Sequence, residues 1–262
     1  MQSKTPLVSI ITVVWNGEKF IERTIKSVIN QTYSAIEYII IDGGSQDKTL
    51  DIIKKYEKNI SCWISEPDKG IFDAMNKGLR RAKGKYVWII SGAGDEIYDP
   101  TTLSKIFKLN NDGDVYYGDL MYVNNEGKEV GFPRARPPEN LSWKGMGTAN
   151  VAWIESLIIK KSLVDEFKLS FPVSSDVDWI INALKKSNKM VNTRLILSKF
   201  LIGGNSTKKR LESYMERYLI LNEHFGTINN LINHLYMVAH FLIYHPSRLL
   251  TRVGLLKCPI RK

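Results

Sequence analysis

Hydrophobic and polar residues alternate in two patterns along the first part of the chain. Runs rich in β-branched and aromatic residues predict buried strands at Val8–Trp15, Glu37–Ile41, Ser61–Ile64 and Tyr86–Ile90. Apolar residues at helical spacing between these runs predict helices at Glu18–Gln31, Asp47–Tyr56 and Asp73–Ala82. Strands that alternate with helices are typical of a mostly parallel, Rossmann-like sheet with helices on both faces. The predicted fold class is therefore α/β.

Each predicted strand is followed by a loop rich in Gly, Asp or Asn. These loops begin at Trp15, Asp42, Glu66 and Ser91. The carboxyl ends of neighbouring parallel strands meet at one edge of a sheet, and sheets of this kind bind their ligands there. We therefore expect the four loops to gather at that edge, where a carboxylate is a candidate ligand for a ribose, a base or a metal ion.

The pattern becomes mixed beyond Asp114. Val115–Val123 and Leu195–Leu201 are predicted as strands, and Ser156–Lys161 as a strand or a buried segment. Asp176–Lys186 is predicted as an amphipathic helix with two acids at its start, and the chain is mostly helical from Arg210 onward. We expect one domain over residues 1–206, followed by a basic helical region over residues 207–262.

Several of these segments resemble the signatures of a known enzyme family. Val8–Gly17 (VSIITVVWNG) resembles the opening of family 2 glycosyltransferases, which have the GT-A fold. Ile41–Thr49 (IDGGSQDKT) is similar to their second-strand signature. Ser65–Gly78 (SEPDKGIFDAMNKG) is similar to the branch of the family that builds bacterial surface polysaccharides. Ordered motifs at the right intervals are a much stronger signal than a single Gly-rich loop.

The resemblance implies a set of donor-binding residues at the strand ends and loops. They are Thr12, Val14, Asn16, Asp42, Asp68, Lys69, Asn76 and Gly94. In this set Asp42 would accept hydrogen bonds from the uracil or ribose of a nucleotide sugar, and the first three residues would frame the base. Asp68, Lys69 and Asn76 would reach the nucleotide or its diphosphate.

The resemblance also implies a metal ligand and a catalytic base. Asp95 stands at the position of the last acid in the family's DXD motif and would hold Mn²⁺ or Mg²⁺, which prefer oxygen ligands and stabilise a diphosphate leaving group. Asp176 matches the family's catalytic base, because an acceptor hydroxyl needs a carboxylate within hydrogen-bond reach.

The chain departs from the family pattern at two places. Relatives often carry two adjacent acids where this chain has Gly94-Asp95, so the metal has one clear carboxylate, which Glu96 would assist if its side chain faces the site. Many relatives also carry a His-Gln pair where this chain has Ile154-Glu155. The acceptor side of the site is therefore expected to differ.

Simpler structural roles compete with some of these assignments. Asp47 is assigned to capping of the following helix. Asp176 and Asp178 also suit a helix N-terminus through the helix dipole, and we assign catalysis to Asp176 and a supporting role to Asp178. Asp119 suits a contact with sugar or acceptor and a turn equally well. The four histidines all lie in the final helical region and are assigned to the surface or an interface.

The distribution of charge indicates that the protein has an anionic partner. The net charge is +10, and the segment from Thr193 to Lys262 holds eleven Lys or Arg against three Glu. Ile228–Tyr244 has no Lys, Arg, Asp or Glu, but its Asn and His residues make it too polar for a membrane span. We favour an interfacial helix, with a buried helix pair as the alternative. The Lys208-Lys209-Arg210 cluster is either a solvated face or a diphosphate contact.

Composition excludes several other classes. The apolar content suffices for a large core, no low-complexity tract is present, and Cys62 and Cys258 are too far apart for a disulfide framework or a metal motif. A reduced cytoplasmic location is expected. The basic tail lacks the aromatic residues of a nucleic-acid module, so no nucleic-acid partner is expected.

The predicted function is inverting sugar transfer. The donor is a nucleotide sugar, with UDP as the favoured carrier, and the acceptor is a saccharide hydroxyl, lipid-linked, in capsule, O-antigen or exopolysaccharide assembly. The enzyme is expected to lie at the inner face of the cell membrane. The alternative is a non-catalytic relative that binds a nucleotide sugar or a polysaccharide, as the single acid at Gly94-Asp95 suggests. The sequence does not encode the sugar, the linkage or the acceptor.

Overall fold

The computed structural model describes residues 5–91, 94–109, 112–148, 151–203 and 209–244. Within these residues, nine strands form one sheet. The strands are β1 (Val8–Val14), β2 (Ile36–Asp42), β3 (Cys62–Ser65), β4 (Tyr86–Ile89), β5 (Glu96–Ile97), β6 (Val115–Val123), β7 (Glu129–Gly131), β8 (Leu157–Lys160) and β9 (Met190–Leu201).

Seven α-helices accompany the strands in the same part of the chain. They are α1 (Ile21–Ile29), α2 (Thr49–Lys55), α3 (Ile71–Arg81), α4 (Thr102–Leu109), α5 (Ser175–Lys186), α6 (Arg210–Phe225) and α7 (Thr227–Tyr244). Short 3₁₀ helices at Lys144–Gly147 and Ile154–Ser156 join the second half of the sheet.

The strand order in the sheet is β3-β2-β1-β4-β8-β6-β9-β5, and β7 pairs with β6 outside this path. The first four strands are parallel, in register from Val8 opposite Ile36 to Val14 opposite Asp42. β8 runs antiparallel between β4 and β6, whereas β6 and β9 are parallel. The predicted α/β fold with a mostly parallel, Rossmann-like sheet is confirmed. β8, in the middle of the sheet, is antiparallel to both of its neighbours.

Two hydrophobic clusters cover the two faces of the sheet. Because side chains alternate along a strand, Val8, Ile10 and Val14 of β1 pack with α1, α2 and α4, whereas Ile11 and Val13 pack with α3, α5 and α6. Helix α3 comes especially close to the sheet at Gly78, where a Cβ would lie 2.4 Å from Cγ2 of Ile11. This close approach fixes the height of the loops above the strand ends.

The segment after β9 contributes to the same core. Ile220 and Leu221 of α6 belong to the cluster that contains Val177 and Ile180 of α5. Of the helices that the structure describes, none combines the length and apolar character needed to cross a membrane. Lys208, Cys258 and the basic residues from Arg248 onward lie outside the described residues.

Candidate active site

The loops after β1, β2 and β3 are tied together by the carboxylate of Asp42. Its Oδ2 accepts hydrogen bonds from the backbone N–H of Gly44 (3.0 Å) and Ser45 (2.9 Å) and from Oγ of Ser65 (2.6 Å). Its Oδ1 accepts one from Oγ of Ser45 at 2.5 Å. Asp42 is completely buried. The predicted contact of this carboxylate with uracil or ribose is therefore corrected: it organises the loops, and both of its oxygens are engaged by the protein.

Asn16 fastens the first loop to the second. It adopts a left-handed φ of 48°, a conformation that Asn tolerates better than most residues. Its backbone N–H donates to Oγ of Ser45 at 2.7 Å, and its side-chain oxygen accepts from the backbone N–H of Gln46 at 2.9 Å. Asn16 thus shapes the rim of the site, and its contact with a base stays a prediction.

Thr12 and Val14, which were predicted to frame the base, have side chains that face the protein, and their framing of a base stays a prediction. Both residues lie on the face of β1 that packs against α1, and both are buried. The hydroxyl of Thr12 accepts a hydrogen bond from that of Tyr38 at 3.2 Å. The period of a strand places residues 8, 10, 12 and 14 on one face, so these side chains support the core.

An open surface lies where β1, β2 and β3 end. Trp15 follows β1 directly, and its side chain is 68% exposed. A Cβ on Gly43 would lie 3.6 Å from Cβ of Trp15 and 2.3 Å from Oδ2 of Asp68, so these three residues adjoin one another. Oδ1 of Asp68 accepts from the backbone N–H of Gly70 at 2.8 Å, and Lys69 is exposed beside it. Asp68 and Lys69 therefore lie at the accessible edge where a nucleotide was predicted.

Asn76 lies on α3 and is turned toward the protein. Its Nδ2 donates to the backbone carbonyl of Phe167 at 2.9 Å, and its Oδ1 accepts from the N–H of Phe167 at 2.7 Å. Because both halves of this buried amide are engaged, the predicted contact of Asn76 with the nucleotide is corrected to a structural one.

The loop after β4 carries Asp95 into the interior. Asp95 is 4% exposed, and its Oδ1 accepts from the backbone N–H of Leu201 at 2.9 Å, while its backbone carbonyl accepts from Oγ1 of Thr24 at 2.7 Å. Burial is the main cause that raises the pKa of Asp95 to about 7, and the nearby negative charge of Glu96 adds to it. Among the described residues, no side chain or backbone group is bonded to its Oδ2.

Neither neighbour of Asp95 supplies a second acid. Gly94 has a φ of 107°, and a Cβ there would meet Cδ2 of Leu201 at 2.6 Å and Cβ of Phe20 at 3.4 Å, so a side chain at this position would point into the protein. Glu96 forms a salt bridge with Arg23 at 3.0 Å. The predicted assistance of Glu96 at a metal is therefore corrected, and Gly94 contributes backbone only.

A second buried acid, Glu155, lies in the 3₁₀ helix before β8. Nε1 of Trp88 in β4 donates to its backbone carbonyl at 2.9 Å, which holds the segment against the end of β4. Burial raises the pKa of Glu155 well above its usual range, and the negative charges of Asp95 and Asp176 raise it further. The carboxyl group of Glu155 is therefore within electrostatic range of those of Asp95 and Asp176.

Asp176 lies in the first turn of α5. Burial raises its pKa, whereas Arg217 and the N–H groups of the helix start oppose the rise. The start of α5 is held by Glu216 of α6, whose Oε2 accepts from the N–H groups of Val173 (3.0 Å) and Ser174 (2.7 Å). The structure thus places the predicted base at a helix start that α6 fixes.

Asp178 is the structural partner that the sequence predicted. Its Oδ1 receives Nε2 of His224 at 2.8 Å and Nζ of Lys168 at 3.2 Å, and its Oδ2 receives Nδ2 of Asn182 at 3.0 Å. Burial alone would raise the pKa of Asp178, but the hydrogen bonds from His224 and Lys168 outweigh it and lower the pKa. The assignment of His224 to the surface or an interface is refined, because its side chain is buried between α5 and α6.

Other candidates have protein partners. Asp47 accepts from the N–H groups of Glu18 and Thr49 at 3.0 Å each, so it joins the first loop to the start of α2. The predicted cap is corrected, because Lys48 occupies the N-cap position and no side chain caps this helix. Asp119 forms an ion pair with Arg136. Within the described part of the chain, no three His, Cys, Asp or Glu side chains converge closely enough to hold a metal ion alone.

Sequence reasoning missed Trp15, Glu216 and His224. The sequence did carry a signal for Trp15, because it is the first residue after the strand and, by the alternation of side chains, lies on the face opposite to Thr12 and Val14. No sequence signal identified Glu216 and His224, since their hydrogen-bond partners lie about forty residues away in the chain, across a helix–helix contact.

Comparisons with known proteins complete this description. The family model described as Glycosyl transferase family 2 matches residues 9–163. An uncharacterized glycosyltransferase of Mycobacterium tuberculosis is 30% identical over 189 residues, which are 69% of this chain and 70% of that protein. S. aureus TarS 1–349 superimposes with a TM-score of 0.69 and 17% identity, over 97% of this chain and 76% of that one.

TarS 1–349 has also been solved in complex with UDP and with UDP-GlcNAc. The mannosyltransferase PcManGT from Pyrobaculum calidifontis, solved with GDP-Man and Mn²⁺, superimposes with a TM-score of 0.63 and 15% identity, over 96% of this chain and 80% of that one. At such identities the superpositions show that the fold is shared.

Proposed function

The chain belongs to glycosyl transferase family 2, and on that premise we propose that it transfers a sugar from a nucleotide-sugar donor to a hydroxyl of a saccharide acceptor with inversion. The observation that carries this proposal is the position of Asp176. It is an acid in the first turn of α5, its pKa is raised by burial, and it interacts electrostatically with the buried Glu155.

The reaction follows from these groups. The carboxylate of Asp176 takes the proton of the acceptor hydroxyl as the oxygen attacks the anomeric carbon of the donor sugar. The bond from that carbon to the diphosphate breaks on the opposite face, and the nucleoside diphosphate leaves with the electron pair. A carboxylate whose pKa is raised is a better proton acceptor than an ordinary Asp.

The open surface at Trp15, Gly43, Asp68 and Lys69 suits the nucleotide. Trp15 offers an exposed aromatic face for a base. The absence of a side chain at Gly43 lets the carboxylate of Asp68 approach the loop, and Oδ2 of Asp68, which has no hydrogen bond among the described residues, can accept one from a base or ribose. A UDP-sugar is the favoured donor, since TarS has been solved with UDP and UDP-GlcNAc.

The residues present fit a divalent cation at the diphosphate. Oδ1 of Asp95 is held by the N–H of Leu201, whereas its Oδ2 has no hydrogen bond from the residues that the structure describes. Mn²⁺ and Mg²⁺ both prefer carboxylate oxygens. When bound, such an ion supplies charge stabilisation to the leaving diphosphate. PcManGT has been solved with Mn²⁺.

The test of the function is sugar transfer by the Asp176→Asn variant. It should lose at least about 100-fold in kcat while its affinity for UDP changes little, because the base acts on the acceptor. Asp178→Asn is the neighbouring control for the loss of one carboxylate in α5. Transfer by Asp176→Asn at near the wild-type rate would refute the assignment.

We also propose that α6 and α7 dock on an anionic membrane at the inner face of the cell, where a lipid-linked acceptor of capsule, O-antigen or exopolysaccharide assembly lies. Two polar side chains of α7 face the protein. Asn230 is buried and donates to the carbonyl of Tyr218 at 3.1 Å, and Asn233 lies against Gly147.

Other apolar side chains of the two helices face outward, whereas Ile220 and Leu221 of α6 are buried in the core. The exposed ones are Leu211, Tyr214, Met215, Tyr218 and Leu219 of α6 and Ile228, Leu231, Ile232 and Leu235 of α7. Their spacing forms a continuous stripe on each helix. An exposed apolar stripe followed by a basic tail suits an anionic membrane, because the stripe can enter the acyl region while the tail contacts the headgroups. Each Lys or Arg near such a surface contributes about 1 kcal/mol to the binding free energy.

Flotation with vesicles that contain phosphatidylserine tests this docking. Wild-type protein should float in low salt and release in high salt, because screening shortens the reach of the charges. Leu231→Glu should abolish flotation, and Val130→Glu, at an equally exposed apolar residue of β7, should leave it unchanged. A dimer in light scattering that Leu231→Glu dissociates would show instead that a second copy covers the stripe.

A further inference from the structure

One lysine of α3 holds the loop that follows β3. Nζ of Lys77 donates to the backbone carbonyl of Pro67 at 2.9 Å and forms an ion pair with Oε1 of Glu66 at 3.0 Å. Oδ2 of Asp73, one turn earlier in α3, lies 3.9 Å from the same Nζ. The Lys77 side chain is 12% exposed. A lysine so far withdrawn from solvent needs partners for its charge, and these oxygens supply them.

Backbone N–H groups hold the two ends of this loop, and Lys77 holds it between them. The N–H of Glu66 donates to the carbonyl at the end of β2 at 3.1 Å, and the N–H of Lys69 donates to Oδ2 of Asp73 at 3.0 Å. Pro67 has no N–H, so its carbonyl is the one backbone group through which a hydrogen bond can hold it. The bond from Lys77 to that carbonyl therefore restrains the position of the next residue.

That next residue is Asp68, which adjoins the open surface proposed for the nucleotide. A Cβ on Gly43 would lie 2.3 Å from Oδ2 of Asp68, and a Cβ on Gly44 would lie 3.4 Å from the backbone nitrogen of Pro67. The loops after β2 and β3 therefore pack closely against each other. Because of this contact, a change in the position of Pro67 moves the Asp68 carboxylate relative to the rim of the site.

We propose that Lys77 is a positioning residue for donor binding. It holds the carbonyl of Pro67 so that the carboxylate of Asp68 stands at the nucleotide surface, and it does so without contacting the donor. A compact ammonium group suits this role, because its three donors can rotate toward oxygens in different directions. The inference rests on the proposed function and on the proposed contact of Asp68 with a base or ribose.

The test measures binding of uridine and of UDP to the full chain by calorimetry, together with steady-state transfer from a UDP-sugar. Lys77→Met should weaken the binding of both ligands about tenfold, the equivalent of one hydrogen bond, because both present a base and ribose to Asp68. KM for the donor should rise by the same factor, and kcat should stay within about twofold of wild type, since the lost binding is common to the ground state and the transition state.

Arg80→Met is the matched control for the loss of a cation from α3. Arg80 lies one turn after Lys77, and its Nη1 forms an ion pair at 2.8 Å with Glu166, outside the loop after β3. Both affinities should therefore be unchanged in this variant.

A double-mutant cycle separates positioning from a general effect on stability. If Lys77 acts through Asp68, Lys77→Met should change uridine affinity by less than about twofold in an Asp68→Asn background, although each single substitution weakens it. Additive losses, or no loss in Asp68→Asn alone, would overturn the inference.

The other outcomes keep the inference and the proposed function apart. A loss of UDP affinity with unchanged uridine affinity would overturn the inference, because it would show that Lys77 contacts the diphosphate directly. Unchanged affinities in Lys77→Met, with Asp68→Asn impaired, would also overturn it and leave the nucleotide site intact. Failure of the wild type to bind uridine and UDP would overturn the proposed donor and the inference with it. If Lys77→Met does not fold by circular dichroism, Lys77→Gln replaces it under the same criteria.

Discussion

The carboxylate of Glu216 is the contact through which α6 fixes the start of α5. The side chain is 8% exposed, and one of its oxygens accepts from two backbone N–H groups, those of Val173 and Ser174. Ser174 immediately precedes α5 and adds a hydroxyl contact with Ser213 of α6 at 3.0 Å. Glu216→Ala would leave two donors at this helix start without their acceptor.

The magnitude follows from these two bonds. A hydrogen bond to a charged group contributes about 1.5–3 kcal/mol, and the two donors share one oxygen, so we expect Glu216→Ala to lower the free energy of unfolding by about 3 kcal/mol. For a chain of this size, that loss corresponds to a decrease in Tm of about 6–12 °C. Because Asp176 lies in the turn that loosens, kcat should fall while UDP affinity is retained.

Differential scanning calorimetry and steady-state transfer assays measure both effects. Glu212→Ala is the matched control: it removes the same charge one turn earlier in α6, where Glu212 is exposed and its nearest cation, Nζ of Lys209, is 3.6 Å away. Surface pairs of this kind contribute at most about 1 kcal/mol. A Tm of Glu216→Ala within about 2 °C of Glu212→Ala would refute the reasoning.

Three further predictions concern single residues. Because the pKa of Asp178 is lowered, its carboxylate stabilises the fold fully above the pKa of the unfolded chain, about 4, and this stabilisation is lost as the pH falls through the folded pKa. Urea unfolding of wild type and Asp178→Asn from pH 7 to 3 should therefore show the greater stability of wild type disappearing at low pH. Gly78→Ala should destabilise by about 1–2 kcal/mol in urea, because a Cβ meets Ile11, and an unchanged midpoint would contradict this. Trp15→Ala should weaken UDP binding about tenfold in calorimetry with Tm unchanged; equal affinity would exclude base stacking.

The sequence predicts the parallel half of the sheet well because that half depends on local patterns. Strand runs and helical spacing alternate there with short loops, and the boundaries of β1 and α3 differ from the predictions by one or two residues. Shorter elements escaped prediction, since β5 has two residues and β7 has three, too few to show a period. β9 begins at Met190, before the predicted Leu195, because residues 190–192 pair with β6. The residues at this end of β9 do not show the apolar pattern of a strand, so the sequence does not predict that pairing.

The site was predicted less completely because residue type does not reveal what a side chain bonds to. Asp42 and Asn76 are polar residues in the expected motifs, yet their partners, Ser65 and Phe167, come from other segments and engage their polar atoms. A buried polar group must find a partner in the folded chain, and tertiary structure decides whether that partner is the protein or a ligand. The roles of four residues stay predictions: donor binding by Asp68 and Lys69, metal binding by Asp95, and base catalysis by Asp176.

The two sides of the reaction are built from different parts of the chain. The family model ends at residue 163, and that segment contains the loops of the parallel sheet, Asp95 and Glu155. Asp176 and the helix that fixes it lie beyond, so the acceptor side depends on packing between α5 and α6. Because Ile220 and Glu216 join that packing, we propose that the catalytic domain extends through α6, past the predicted boundary at residue 206. In the proposed membrane docking, α6 and α7 form the membrane-facing layer, and α6 also holds the start of α5, which carries Asp176.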